Sequence, residues 1–292
     1  MFGQIINAKA GFYYIKTRES HIFQTRAQGH FRLKNISPLV GDWVEFTSEN
    51  EHEGIITAIE PRKNMLNRPQ VANVDAALLV ASVVQPKISA KLFDRFLAYL
   101  EFQGLEPILY FSKMDLLAPK EEEKTGRFMQ IYENIGYSIW DNLSLSDQWD
   151  AFLASLKGKT VVTVGQSGAG KSTLLNELLD EEVIETQPIS KALGRGRHTT
   201  RDVSLYDKAG VSFVDTPGFS SLTFQDILPQ ALGACFVEFR SYQEACQFRT
   251  CTHTHEPRCA VKAAVGAGQI AKSRYDSYLN LYEEIKEQKK SY

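Results

Sequence analysis

Apolar residues in the first 68 positions come in short bursts. Stretches 4–6, 11–16, 21–25, 43–46 and 54–59 are apolar or aromatic, with Gly, Asn and charged breaks between them. Several alternate with a period of two, as half-buried strands do. At least five short strands in so few residues predict a small closed barrel of OB or SH3-like type. The segment 61–69 (PRKNMLNRP) is basic with a proline at each end and reads as a linker.

Near residue 70 the pattern changes. Positions 74–84 are almost unbroken apolar residues, as in a strand covered on both faces. In 91–102, Leu92, Phe93, Phe96, Leu97 and Leu100 form a helical stripe. Positions 107–111, 160–164 and 211–214 are further buried-strand candidates, and 202–206 reads as another strand. Strands alternating with helices imply a parallel sheet with helices on both sides. The charged run 120–124 is a solvated loop or helix end. After about 223 the chain reads as helical, and 270–290 carries Tyr275, Tyr278, Leu279, Tyr282 and Ile285 on one side as a packing stripe. The expected domains are 1–68, 69–222 and 223–292.

Composition narrows the class. The 292 residues include 33 basic and 35 acidic side chains, for a net charge of −2. Bulk charge therefore does not advertise nucleic acid, although charge gathered on one face would still allow it. No apolar run approaches the ~18 residues of a membrane span. The N-terminus lacks the layout of a secretory signal. All four cysteines (Cys235, Cys246, Cys251 and Cys259) lie within one 25-residue stretch. Such clustering points to a metal site in a reducing, cytoplasmic setting.

One motif carries the chemistry. Gly165, Gln166, Ser167, Gly168, Ala169, Gly170, Lys171 and Ser172 match the pattern G-x-x-x-x-G-K-[ST] in full. A strand candidate precedes them, and leucines at 174, 175, 178 and 179 give the following segment one helical face. Glycines let backbone N–H groups face a β-phosphate, and a helix N-terminus adds its dipole. Lys171 neutralises β- and γ-oxygens and Ser172 offers a hydroxyl to Mg²⁺, with Thr173 beside it. Asp215, Thr216, Pro217 and Gly218 follow the strand at 211–214. Asp215 there can hold Mg²⁺ through water, and the Gly218 N–H can reach a γ-phosphate.

Ser112, Lys113, Met114 and Asp115 end another apolar strand and approximate the guanine-reading pattern [NT]-K-x-D. The Asp115 carboxylate would accept from guanine N1–H and the 2-amino group, a donor pair that adenine lacks. The Lys113 stem would cover the base face. Ser112 stands where Asn or Thr is usual; it keeps a hydroxyl but loses the amide that braces the phosphate loop, so somewhat weaker binding is expected. This motif precedes the phosphate loop by 52 residues, Lys113 to Gly165. An ordinary GTPase has the reverse order, so the domain is circularly permuted, which compact domains tolerate when their ends lie close.

Between the phosphate loop and Asp215 lies KALGRGRHTTR at 191–201. This interval is where a GTPase places its first switch, and Thr199 and Thr200 are both candidates for the Mg²⁺-binding threonine. Lys191, Arg195, Arg197 and Arg201 could also meet an RNA backbone. Cys246, Cys251, His253 and Cys259 place three thiols and an imidazole within 14 residues, a closed ligand set for structural Zn²⁺. His255 is the alternative to His253, and Cys235 reads as a buried apolar cysteine.

The order S-K-M-D, G-Q-S-G-A-G-K-S, G-R-G-R-H-T-T, D-T-P-G resembles the circularly permuted, ribosome small-subunit-dependent GTPases, the RsgA family. The resemblance covers nearly the whole chain. It implies an α/β P-loop GTPase domain, circularly permuted, with an N-terminal OB-type barrel and a C-terminal helical zinc-binding domain. It implies GTP hydrolysis with Mg²⁺, activated by the small (30S) ribosomal subunit, late in subunit maturation, by a monomer that contacts 16S rRNA. The same Cys-Cys-His-Cys spacing occurs in the family. The family's proposed water-orienting histidine matches His198; Phe219 occupies the place where other GTPases carry a catalytic Gln, and an apolar side chain cannot orient water. His198 as an RNA-facing or structural residue is the alternative. Turnover should be slow alone, because no arginine finger is assignable. Two rival readings stand beside this one: a nucleotide-gated RNA-binding module with negligible turnover, and an ATP-using P-loop enzyme.

Overall fold

A computed structural model of the protein describes residues 1–29, 31, 36–67, 69–142, 148–179, 203–215, 222, 224 and 226–290. In chain order, the strands β1 (Phe2–Lys9), β2 (Phe12–Lys16), β3 (Ile22–Ala27), β4 (Trp43–Ser48) and β5 (Gly54–Ile59) come first. Two three-residue strands follow, β6 (Met65–Asn67) and β7 (Gln70–Ala72), then β8 (Ala76–Ser82). Helix α1 (Ala90–Phe102), β9 (Glu106–Ser112), α2 (Pro119–Ile135), β10 (Ser138–Asp141), α3 (Trp149–Leu156) and β11 (Thr160–Val164) continue the strand–helix rhythm. Next come α4 (Lys171–Leu179), β12 (Ser204–Lys208) and β13 (Val211–Asp215). After a stretch of 3₁₀ turns, α5 (Ala260–Gly266) and α6 (Lys272–Lys290) end the chain.

The chain divides into two compact units. One comprises Met1–Ala77, Gln148–Val164 and Lys171–Phe219; the other comprises Leu78–Asp147, Gly165–Gly170 and Ser220–Tyr292.

In the first unit the strands run in the order β11-β13-β12-β1-β2-β3-β5-β4, and β1 also pairs with β4. That second pairing closes β1 to β5 into a five-stranded barrel. Its β3–β5 pair is parallel while its other pairs are antiparallel, which is OB topology. Alternation explains it: Ile5, Ile15, Phe23, Val44, Phe46 and Ile56 all point inward and are buried. Beyond the barrel, β12 and β13 form a hairpin through Ala209 and Gly210, both at positive φ (51° and 80°). This turn places β12 two residues later than the 202–206 expected from the sequence.

The expected linker at 61–69 is instead anchored structure. Leu66 is buried between exposed Met65 and Asn67, a period-two pattern too short to stand out in sequence, and β6 pairs antiparallel with β7. Two polar residues of the segment, Arg62 and Asn64, are fixed as well. Arg62 Nε and Nη2 donate to both carboxylate oxygens of fully buried Asp42, at 2.7 and 2.8 Å. Asn64 exchanges two hydrogen bonds with the Val74 backbone, at 2.7 and 2.9 Å.

In the second unit the strand order is β10-β9-β8, and β10 runs parallel to β9. Every residue of β8 is buried, as its unbroken apolar run requires. Helix α1, N-capped by the Ser89 hydroxyl, buries Phe93, Phe96, Leu97 and Leu100, whereas Leu92 is only half-buried. Helix α6 buries Tyr278, Tyr282 and Ile285 of the expected stripe, half-buries Tyr275, and widens the stripe with polar and apolar neighbours. Arg274, Ser277, Tyr278, Leu281, Tyr282 and Ile285 are buried, and Leu279 is half-buried. One of its fully buried members is a charge. Arg274, 1% exposed, donates to Asp94 of α1 at 2.7 Å and grips Glu238 through Nε and Nη2 at 2.7 and 2.9 Å. Tyr132 also donates to Asp94, at 2.8 Å.

Candidate nucleotide site and metal cluster

The phosphate loop is shaped by glycine. β11 is buried throughout and ends at Val164; Gly165 then adopts φ +137°, and a Cβ there would lie 2.2 Å from the Val80 carbonyl oxygen. No side chain fits that approach. Gly168 and Gly170 are also at positive φ, +77° and +97°. Gly165 and Ala169 are buried while Ser167 and Gly168 are exposed, so the loop rests one side on the core and turns the other outward; Gln166 and Gly170 are half-buried.

In the first unit, α4 starts at Lys171 and buries Leu174, Leu175 and Leu178. Its first turn carries Lys171 and Ser172, both half-buried, and exposed Thr173. Burial lowers the pKa of the Lys171 ammonium, and the charge of Asp215, the last residue of β13, opposes that shift. A hydroxyl and a carboxylate are hard oxygen donors that suit Mg²⁺. Gly218, His198, Thr199 and Thr200 lie outside the described residues, as does the whole 191–201 loop.

The base-reading motif lies in the second unit with the phosphate loop proper. Ser112 ends β9 and is buried, and its Oγ donates to the Ala169 carbonyl at 2.5 Å. The hydroxyl therefore braces the phosphate loop itself, contrary to the expectation that the brace goes with the amide. A hydroxyl carries both a donor and acceptor sites, so the short side chain suffices where the strand ends this close to the loop. Lys113 takes a left-handed conformation (φ 63°) and its Nζ donates to the Gly168 carbonyl at 2.9 Å and to the Gln85 carbonyl. Met114 and Asp115 open a 3₁₀ turn that exposes Asp115.

Two residues here were not singled out from the sequence. Asn142, one position past β10, donates from Nδ2 to Asp115 Oδ1 at 2.7 Å and accepts the Met114 N–H at 2.8 Å. Gln85 contributes only its backbone carbonyl to Lys113. An Asn at a strand end and a lone carbonyl carry no sequence signature.

The C-terminal cluster is compact. The ligand atoms of Cys246, Cys251, His253 and Cys259 lie within 4.8 Å of one another. Cys246 Sγ is 3.9 Å from Cys259 Sγ, and His253 Nδ1 is 3.6 and 3.4 Å from those two sulfurs. Tetrahedral Zn²⁺ with bonds of about 2.3 Å to sulfur and about 2.0 Å to nitrogen has edges of roughly 3.8 and 3.5 Å, so the donors fit. Burial lowers the pKa of His253, which keeps its imidazole neutral and able to ligate. Burial also pushes up the Cys251 and Cys259 thiols, a cost that a bound dication would reverse. His255 is exposed and faces Thr254 Oγ1 at 3.0 Å, which leaves His253 as the fourth donor. Cys235 is buried, 4% exposed, apart from the cluster.

Helix α6 holds this knuckle in place. Tyr275 donates to the His253 carbonyl at 2.7 Å, and Tyr278 donates to the Thr252 carbonyl. Glu256 accepts from the Thr252 hydroxyl and from the Thr252 and Thr254 N–H groups. Burial opposes its ionisation, yet those hydrogen bonds hold its carboxyl down at about 2.

A family model described as RsgA GTPase matches residues 59–225, and one described as RsgA N-terminal domain matches 2–56. The chain belongs to the RsgA GTPase family. It is 47% identical to the small ribosomal subunit biogenesis GTPase RsgA of Streptococcus pneumoniae, over 100% of this chain and 97% of that protein. The corresponding RsgA 1 of Listeria monocytogenes is also 47% identical, over 99% of each chain. Among solved structures, YloQ, described as a circularly permuted GTPase, matches with a TM-score of 0.83 and 39% identity, over 98% of this chain and 95% of that one. YjeQ from Thermotoga maritima matches with a TM-score of 0.83 and 34% identity, over 97% and 98%. The protein is thus a GTPase with permuted motif order, an N-terminal barrel, and a C-terminal Cys₃His group able to hold a metal ion. Among the described residues, no helix is long and apolar enough to cross a membrane.

Proposed function

We propose that this chain binds Mg²⁺·GTP, hydrolyses it to GDP and phosphate, and does so on the small ribosomal subunit during its late maturation. One observation carries the nucleotide part. Ser112 and Lys113 donate to the carbonyls of Ala169 and Gly168, so the base motif is fastened to the phosphate loop although it precedes it in sequence. With those carbonyls engaged, the loop is held in one shape, and a glycine-rich turn leading into a helix N-terminus suits phosphate oxygens.

Each residue then has a task. Gly165 to Thr173 cradle the phosphates, and Lys171 meets the β/γ charge. Asp115 reads guanine. Ser172, Asp215 and either Thr199 or Thr200 would hold Mg²⁺, which would supply positive charge against the phosphate oxygens. The Gly218 N–H reaches the γ-phosphate and His198 orients the attacking water. Zn²⁺ held by Cys246, Cys251, His253 and Cys259 would be structural, with no position left open for chemistry.

The partner reading rests on relatives named for small ribosomal subunit biogenesis. On it, the barrel 1–68 and the zinc module 223–292 contact 16S rRNA, and 69–222 is the GTPase domain. OB barrels commonly offer such a surface.

Displacement of a fluorescent GDP analogue by GTP and by ATP tests base choice: GTP should compete and ATP should not. His198→Ala should keep GTP affinity and lose most subunit-stimulated turnover. Unchanged stimulated turnover in that variant would remove His198 from the mechanism.

A further inference from the structure

The arrangement around Asp115 contains more than a carboxylate at a strand end. β10 runs parallel to β9 in the register Ile139↔Leu109, Trp140↔Tyr110, Asp141↔Phe111. Asn142 follows directly after β10, and Ser112, the last residue of β9, opens the base-reading motif. The Asn142 side chain then makes two bonds of opposite sense. Its oxygen accepts the Met114 N–H at 2.8 Å, and its amide nitrogen donates to Asp115 Oδ1 at 2.7 Å. The amide orientation is forced, because only the oxygen can accept an N–H.

This pairing suits a specificity task. Recognition of guanine by a carboxylate needs both oxygens presented in the plane of the N1–H and 2-amino donors. Asp115 is exposed, on a 3₁₀ turn, and left to itself its side chain would sample several rotamers. A hydrogen bond from Asn142 fixes one of them. An ionised carboxylate offers about four acceptor positions, so one bond from Asn142 still leaves room for both donors of the base. The second bond fixes the backbone immediately before Asp115. We infer that Asn142 is a positioning residue for guanine selection: it orients the Asp115 carboxylate without itself touching the base. This rests on the reading of Asp115 as the guanine-selecting group.

The isosteric variant separates the two bonds. Asn142→Asp keeps an acceptor for the Met114 N–H but replaces the donor to Asp115 with a second carboxylate oxygen. Asn142→Ala removes both bonds. Affinities for GDP and IDP, whose base lacks the 2-amino group, would be read by displacement of a fluorescent GDP analogue from the full chain. Losing one hydrogen bond to a charged group corresponds to roughly 10–100-fold in affinity. Both variants should lose GDP affinity in that range and lose less for IDP, so the preference for GDP over IDP shrinks. A purely structural role would weaken both nucleotides equally. Asp115→Ala is measured beside them. If Asp115→Ala weakens GDP binding but neither Asn142 variant changes the GDP/IDP preference, the role of Asn142 is overturned and the base reading stands. If Asp115→Ala binds GDP as the unaltered chain does, the base reading fails and the inference with it. Thermal unfolding of each variant checks the fold, and should Asn142→Asp not fold, Asn142→Ala carries the comparison alone.

Discussion

Single side chains decide the nucleotide site. Gly165 has no substitute: its φ of +137° and the Val80 oxygen 2.2 Å from a Cβ position exclude every side chain. Gly165→Ala should therefore abolish nucleotide binding, measured by titration of fluorescent GDP. Ser112→Ala tests the brace. It would leave the buried Ala169 carbonyl without its 2.5 Å donor, a loss of about 1–3 kcal/mol, so GDP affinity should fall about tenfold. The phosphate loop was legible in the sequence because its chemistry demands fixed residue types at fixed spacing. The role of Ser112 was legible only as a departure from a pattern. Its hydrogen bond joins residues 57 apart, and such a contact leaves no local trace.

At the scale of elements, hydrophobic period predicted best where one face of a strand or helix is buried. The barrel strands, β8, α1 and β11 follow their alternation or stripes closely. Two departures share a cause, polar side chains used as anchors. Segment 61–69 looks like a basic linker, yet Arg62 and Asn64 fasten it to Asp42 and Val74. Helix α6 looks like an aromatic stripe, yet Arg274 is buried within it, paired with Asp94 and Glu238. Burial raises the pKa of Asp94 and Arg274 opposes that shift, so the ion pair depends on both partners. Arg274→Ala leaves two carboxylates buried without their counter-charge and should cost about 3–5 kcal/mol, measured by urea unfolding. The cysteine cluster makes a separate prediction. Its donors already sit at the edges of a zinc tetrahedron, and metal supplies folding energy in so small a module. Chelation should lower the unfolding temperature and release one Zn²⁺ per chain, detected with a colorimetric chelator. Unfolding that ignores the chelator would argue against a structural ion.

For the whole molecule, the order of motifs carries the argument. A base motif that precedes its phosphate loop reads as an accident in one dimension. The hydrogen bonds from Ser112 and Lys113 to Ala169 and Gly168 show the two as parts of one device. Family membership agrees with that reading over the full chain. The partner was never legible in composition: a net charge of −2 says nothing of RNA, and the ribosomal assignment comes by resemblance. The decisive measurement is phosphate release from GTP and from ATP, each with and without purified small ribosomal subunits. The account predicts slow release from GTP alone, strong stimulation by subunits, and none from ATP in either case. Robust ATP turnover would contradict the base assignment, and GTP binding without subunit-stimulated release would contradict the proposed activity on the ribosome.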